Sequence, residues 1–204
     1  PALRGRPSRC TAITSFKPLI LPEMNDLSMH ILDIIQNSIS AGATRISLTV
    51  DEDPVSDLLT VIIGDNGRGM TSEQVSRLAD PFFTSRTTRK VGMGIPLLKQ
   101  TAEQSGGGVR IVSEPGLGTE VTATFGYTNI DRPPLGDVAN ALMITASSNP
   151  DIDFCLVYRY AGQEYAFDTA DVREIFGKGA MKNLTIVKNI EEMIKENIEE
   201  IVNS

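Results

Sequence analysis

Asp65-Asn66-Gly67-Arg68-Gly69-Met70 places a single carboxylate beside two glycines at the end of an apolar run. That run, Leu58 to Gly64, is short and rich in β-branched residues, which predicts a buried strand. An Asp delivered by a buried strand needs a hydrogen-bonding partner, and glycines let backbone N–H groups approach one. An adenine ring meets that need. Its exocyclic amino group donates to a carboxylate, whereas guanine presents an acceptor at the same edge. The six residues could equally close a hairpin through an Asn-Gly turn, so the hexapeptide alone leaves both readings open.

Other residues with chemical potential flank it. Asp33 and Asn37 lie four apart, on one face of a predicted helix. An Asn amide oxygen is a neutral hard ligand, suited to a Mg²⁺ that keeps most of its waters and bridges phosphates. A carboxylate one turn earlier can take a proton from an attacking water or hydroxyl. Downstream, Arg86, Arg89 and Lys90 form a basic loop able to neutralise a γ-phosphate. Gly92, Gly94 and Ile95 then open a helix whose first backbone N–H groups suit phosphate oxygens, although the glycine pair lacks the third member of a Rossmann fingerprint. Thr119, after Gly116-Leu-Gly, could complete adenine contacts with Asp65, directly or through water. Singly, each has a plain alternative: a solvated helix face, a soluble loop, a helix start. Their joint order is what points to ATP.

The elements that must position these residues follow from periodicity. Ile31, Ile34, Ile35 and Ile39 mark an amphipathic helix from Ser28 to Ala41, ended by Gly42. Arg45 to Val50 alternates as a half-buried strand, and an acidic turn, Asp51 to Asp57, leads into the next one. Thr71 and Gln74 have capping-box spacing for a short helix. Pro96 is tolerable only in a first helical turn, Gly106 to Gly108 stop that helix, and residues 109–113 and 120–125 make a hairpin across Pro115-Gly116. Beyond Tyr127 come a Pro-rich linker, a helix through Leu135 to Ala146 and a second hairpin across Ala161-Gly162. A short helix capped by Asp168 or Thr169 follows, then a last helix from about Leu184 to Val202.

Composition narrows the class. The net charge of −7 argues against nucleic acid as a main partner, and no apolar run approaches a membrane span. Charge is uneven: +3 over residues 1–23, −4 over 24–127 and −6 over 128–204. Cys10 and Cys155 match no metal or redox spacing, which suits a reduced, cytoplasmic setting. Residues 1–23 read as a disordered leader, or as translated sequence ahead of a start at Met24. Residues 24–127 read as the ATP-binding domain, and 128–204 as an acidic α+β region whose last helix could dock on it or pair two subunits in a homodimer.

In register, the motifs resemble those of the GHKL ATPase superfamily, which includes DNA gyrase, heat-shock chaperone ATPases, sensor histidine kinases and MutL-type mismatch-repair ATPases. Asp33-Ile-Ile-Gln-Asn37-Ser-Ile-Ser-Ala-Gly-Ala-Thr-Arg45 looks like the N-box, close to the MutL form in its second half. Asp65 to Met70, with Gly67 and Gly69, matches the G1 box. Pro81-Phe-Phe-Thr84 with Gly92-Met-Gly-Ile95 resembles the F and G2 boxes of histidine kinases. Glu114-Pro-Gly-Leu-Gly-Thr119 is similar to their closing glycine box. The resemblance covers about residues 25–126. It implies the Bergerat fold, a two-layer α/β sandwich of a mixed sheet with helices on one face, holding Mg·ATP beneath a short lid.

Two departures bear on activity. The N-box acid is usually Glu in the hydrolysing families; Asp33 is one methylene shorter and would hold a water less readily at attack distance. His30, the only histidine, sits in a hydrophobic pattern with no acid after it and reads as a packing residue, and residues 1–29 are too few for a two-helix phosphoacceptor domain. The expected function is a Mg·ATP-binding, histidine-kinase-like signalling protein that transfers the γ-phosphate to an unidentified partner protein. The alternative is an ATP-switched binding module with slow or no hydrolysis. A gyrase- or MutL-like ATPase is weaker, because about 77 residues leave little room for a transducer domain.

Overall fold

In the computed structural model, residues 26–78, 94–177 and 179–204 are described. Strand alternation creates one dry face. It collects Ile46, Leu48 and Val50 from β1 (Arg45–Asp53) and Leu59, Val61 and Ile63 from β2 (Leu58–Asp65). Val121, Ala123 and Phe125 from β4 (Gly118–Gly126) continue it beside β3 (Gly108–Glu114). β1–β2, β2–β4 and β3–β4 are all antiparallel.

The boundary expected at residue 127 is no break in this sheet. β5 (Asp153–Tyr160) pairs with β1 in parallel, and β6 (Gln163–Asp168) pairs with β5, giving one mixed six-stranded sheet in the order β3-β4-β2-β1-β5-β6. Sequence periodicity identifies the second hairpin but cannot say which edge it joins. Residues 161–162 turn it with positive φ at both positions (48° and 88°), matching the twist of the flanking strands. The acidic run after Val50 also differs from expectation: β1 continues to Asp53, and the turn is confined to residues 54–57. β5 supplies the reason, with Arg159 reaching Asp51 and the Tyr158 hydroxyl donating to Glu52.

Helices cover the dry face and share its core. α1 (Leu27–Ser40) buries Leu27, Ile31, Ile34 and Ile35, and Asp26 caps its start by accepting the Met29 N–H. α2 (Ser72–Leu78) has the expected capping box, Thr71 with Gln74 in both directions. α3 (Gly94–Gln104) buries Ile95, Leu98 and Ala102. α4 (Val138–Ser148), α5 (Thr169–Phe176) and α6 (Leu184–Asn203) follow. Val187, Ile190 and Ile194 turn the stripe of α6 inward, against α4 and the β5–β6 edge. Side chains as enclosed as Ile35, Phe125 and Phe154 each stabilise the fold by about 1.5–3 kcal/mol relative to exposure. No described helix is long and apolar enough to cross a membrane.

Candidate functional site

Asp65 ends β2, paired with Ile46 on one side and Thr119 on the other. Alternation from Ile63 turns its side chain to the helical face. The Ser38 hydroxyl, on α1, donates to Oδ2 at 2.7 Å, and the Gly67 N–H donates to Oδ1 at 2.8 Å. A carboxylate has about four acceptor positions, so each oxygen keeps one for a further donor. Thr119, its cross-strand neighbour, stands beside this acceptor edge. Thr119 is itself fixed through Ser113, hydroxyl to hydroxyl at 2.9 Å.

The glycines allow two turns to interpenetrate. A Cβ on Gly69 (φ +62°) would lie 1.9 Å from the Glu114 carbonyl oxygen, and one on Gly118 (φ +115°) would lie 1.9 Å from that of Asp65. Ser113 ties the pair together: it accepts the Met70 N–H and donates to the Gly118 carbonyl, both at 2.8 Å. Gly67 is pressed between Ala41 and its own Asp65. Gly67, Gly69, Met70 and Thr119 are thus brought together near Asp65.

Asp33 and Asn37 project from the middle of α1, Asp33 exposed and Asn37 half-buried. The first residue of α3 abuts Asp33: a Cβ on Gly94 would lie 2.8 Å from that of Asp33 and 3.2 Å from its Oδ2. Ile95 is buried directly after it. Arg86, Arg89, Lys90 and Gly92 lie outside the described residues, as do residues 1–23 and Pro81 to Thr84.

A hollow of about 430 Å³ lies on the other face of the sheet, lined by Arg45, Ser47, Gly64, Val112 and Glu120 and meeting Asp65 and Thr119 from behind. Asp33 and Asn37 do not line it, so it is not the space between α1 and the turn. Ser38 and Ser113 also hold the site, although neither stands out by residue type or motif spacing. Ser38 did carry a signal: it continues the dry stripe of Leu27, Ile31, Ile34 and Ile35, and a polar group there must have a partner.

His30 is 3% exposed, with Nε2 3.4 Å from the Thr101 hydroxyl and no partner at Nδ1 among the described residues. It packs, as expected. Burial holds its pKa below the ordinary value, partly offset by Asp33 and Asp26. The unfolded chain takes up a proton near pH 6.5, while the folded imidazole resists one. Stability from His30 is therefore complete above about pH 6.5 and is lost as pH falls through the lowered folded pKa. Relative to His30→Gln, the wild-type unfolding free energy should decline between about pH 7 and pH 5 in urea titrations. A difference independent of pH would contradict this.

A strand-end carboxylate is thus interlocked with a glycine hairpin, under a helix bearing an acid and an amide. Residues 24–129 match the family described as histidine kinase-, DNA gyrase B- and HSP90-like ATPase, and the chain belongs to that family. Among curated proteins, the non-motile and phage-resistance protein of Caulobacter vibrioides is 31% identical over 56% of this chain and 15% of its own length. The sensor protein DegM of Bacillus sp. is 26% identical over 61% and 33%, and sporulation kinase D of Bacillus subtilis is 28% identical over 53% and 22%. The chain thus spans a third or less of these relatives. Among solved structures, the Aquifex aeolicus MutL ATPase domain complexed with ADP aligns over 76% of this chain and 70% of its own, at 18% identity and a TM-score of 0.47.

Proposed function

We propose that the protein binds Mg·ATP between α1, the Asp65–Met70 turn and the Glu114–Thr119 hairpin, and passes the γ-phosphate to a partner protein in signalling. The observation that carries the nucleotide reading is the Asp65 carboxylate, held by Ser38 and Gly67 with acceptor positions to spare. Asn37 would hold Mg²⁺ through its amide oxygen, with phosphate and water completing the shell; the ion would neutralise charge developing on the phosphates. Asp33 would take the proton from the accepting hydroxyl or imidazole. Arg86, Arg89 and Lys90 would neutralise the γ-phosphate, and the N–H groups from Gly92 through Ile95 would face phosphate oxygens. The family and the sensor and kinase relatives support this reading.

The test is ATP labelled at the γ-phosphate, incubated with the full chain and candidate partners. Label on a partner is expected; tight binding with neither transfer nor phosphate release removes the kinase reading. A second reading, an ATP-switched binding module with slow turnover, is favoured by one feature. Asp33 is the shorter acid, on a side chain already abutted by Gly94. Asn37→Ala should weaken ATP binding about tenfold or more with Mg²⁺ present and only slightly in EDTA. Equal losses under both conditions would remove Asn37 as the metal ligand.

A further inference from the structure

The turn that carries Asp65 is tied to a part of the chain beyond the family match. Asn66 Oδ1 accepts the backbone N–H groups of Thr44 and Arg45, both at 2.9 Å, and Asn66 Nδ2 donates to the Thr44 hydroxyl at 2.9 Å. The Asn66 N–H donates to the Arg45 carbonyl at 3.3 Å. The same two residues receive β5 from the other side. The Asp153 N–H donates to the Thr44 carbonyl at 2.9 Å, and Arg45 pairs with Asp153 in the parallel ladder. The Arg45 guanidinium reaches Oδ2 of Asp168, whose Oδ1 caps α5 through the Ala170 N–H. At the opposite end of α1, the Leu27 N–H donates to the Pro134 carbonyl at 2.9 Å, and Gly136 is packed against the Asp26 carboxylate. α4 lies along the flank between these points.

We infer that residues 128–204 brace the nucleotide site: they hold α1 at both ends and, through Thr44 and Arg45, hold the turn that positions Asp65. Asn66 and Arg45 are then positioning residues. An exposed ion pair alone contributes little. Here the pair closes a ring of bonds running from Asn66 through Thr44 and Arg45 to β5 and the cap of α5. Its loss loosens the turn before it loosens the core. The acidic region is therefore part of the binding machinery, and changes at α5 reach the adenine end of the site. This rests on the ATP reading for its affinity arm alone.

Arg45→Met removes the guanidinium while leaving the backbone bonds of residue 45, and Arg45→Lys restores a charge. Asn66→Ala removes three side-chain bonds, whereas Asn66→Asp keeps the acceptor for both N–H groups. In the nucleotide-free chain of 204 residues, amides of residues 66–70 should exchange about threefold faster or more in Arg45→Met, with those of Ile111 and Val121 unchanged and the melting temperature within about 2 °C. ATP affinity should fall about threefold to tenfold in Arg45→Met, recover in Arg45→Lys, and fall more than about tenfold in Asn66→Ala but less in Asn66→Asp. Wild-type exchange of the turn in Arg45→Met overturns the brace whatever the affinity, and so does Arg45→Lys behaving as Arg45→Met. A wild-type protein that binds no ATP removes the proposed function, while the exchange arm still decides the brace.

Discussion

Asp65→Asn is expected to cut ATP affinity by about a hundredfold or more, close to 2.7 kcal/mol. The carboxylate is acceptor-only: it takes the Ser38 hydroxyl on Oδ2 and the Gly67 N–H on Oδ1 and still offers positions to an adenine amino group. An amide has one acceptor oxygen and one NH₂ donor, so neither flip satisfies the site. With its oxygen toward Gly67, the NH₂ replaces Oδ2, and a donor faces both Ser38 and the incoming amino group. Ser38 can escape by turning to the Ile34 carbonyl, already 3.3 Å away, but adenine cannot. With the oxygen toward Ser38, two N–H groups meet at Gly67. Losing a charge-assisted hydrogen bond costs about 1.5–3 kcal/mol, and leaving donors unpaired adds to it. Calorimetric titration with ATP and GTP measures the effect, with thermal melts to confirm folding. The ratio of ATP to GTP affinity should fall together with the ATP affinity. An ATP affinity within about threefold of wild type would remove Asp65 as the adenine acceptor.

Much of this site is legible in residue order because its parts depend on local rules. Asp65 follows a β-branched strand, Asn37 lies one turn after Asp33, and the glycines fall where turns demand them. What is not legible is long-range. Ser38 meets Asp65 across 27 residues, and Ser113 meets Met70 across 43. Neither serine has a motif, because a hydroxyl can serve any nearby acceptor and the partner is chosen by packing. The same holds for the chain beyond Tyr127. Its hairpin, helix caps and amphipathic last helix follow local periodicity, and Asp168 caps α5 as its position suggests. That β5 lies parallel to β1 depends on a crossover through α4, which no local pattern encodes. The stripe of α6 reads equally as a surface for docking on the rest of the chain or for pairing two subunits, and only the packing shows Val187, Ile190 and Ile194 in the shared core.

Gly118→Ala should cost about 4 kcal/mol or more, a large part of the 5–15 kcal/mol that holds a domain together. Its nearest clash is the backbone carbonyl of Asp65, 1.9 Å from the added Cβ, with the Cα of Asn66 at 3.0 Å. Neither can swing away as a side-chain end could. β2 and β4 would have to separate at the very pair, Asp65 with Thr119, that forms the proposed adenine contact. A φ of +115° adds strain that an L-residue seldom accepts. Gly116 is the internal control. It also has positive φ, +82°, but a Cβ there meets nothing within 4 Å, so Gly116→Ala should cost only about 1 kcal/mol. Urea midpoints at constant m-value compare the two. Equal costs would mean that backbone conformation alone explains both glycines, and the interlock of turn and hairpin would lose its support. A much larger loss at Gly118, with nucleotide binding lost in whatever fraction folds, would show that the hairpin glycine is kept for close approach to Asp65. The reciprocal variant, Gly69→Ala, presses on the Glu114 carbonyl from the other side at the same 1.9 Å and should behave like Gly118→Ala. Both would act by forcing apart two backbones that only hydrogen atoms can separate.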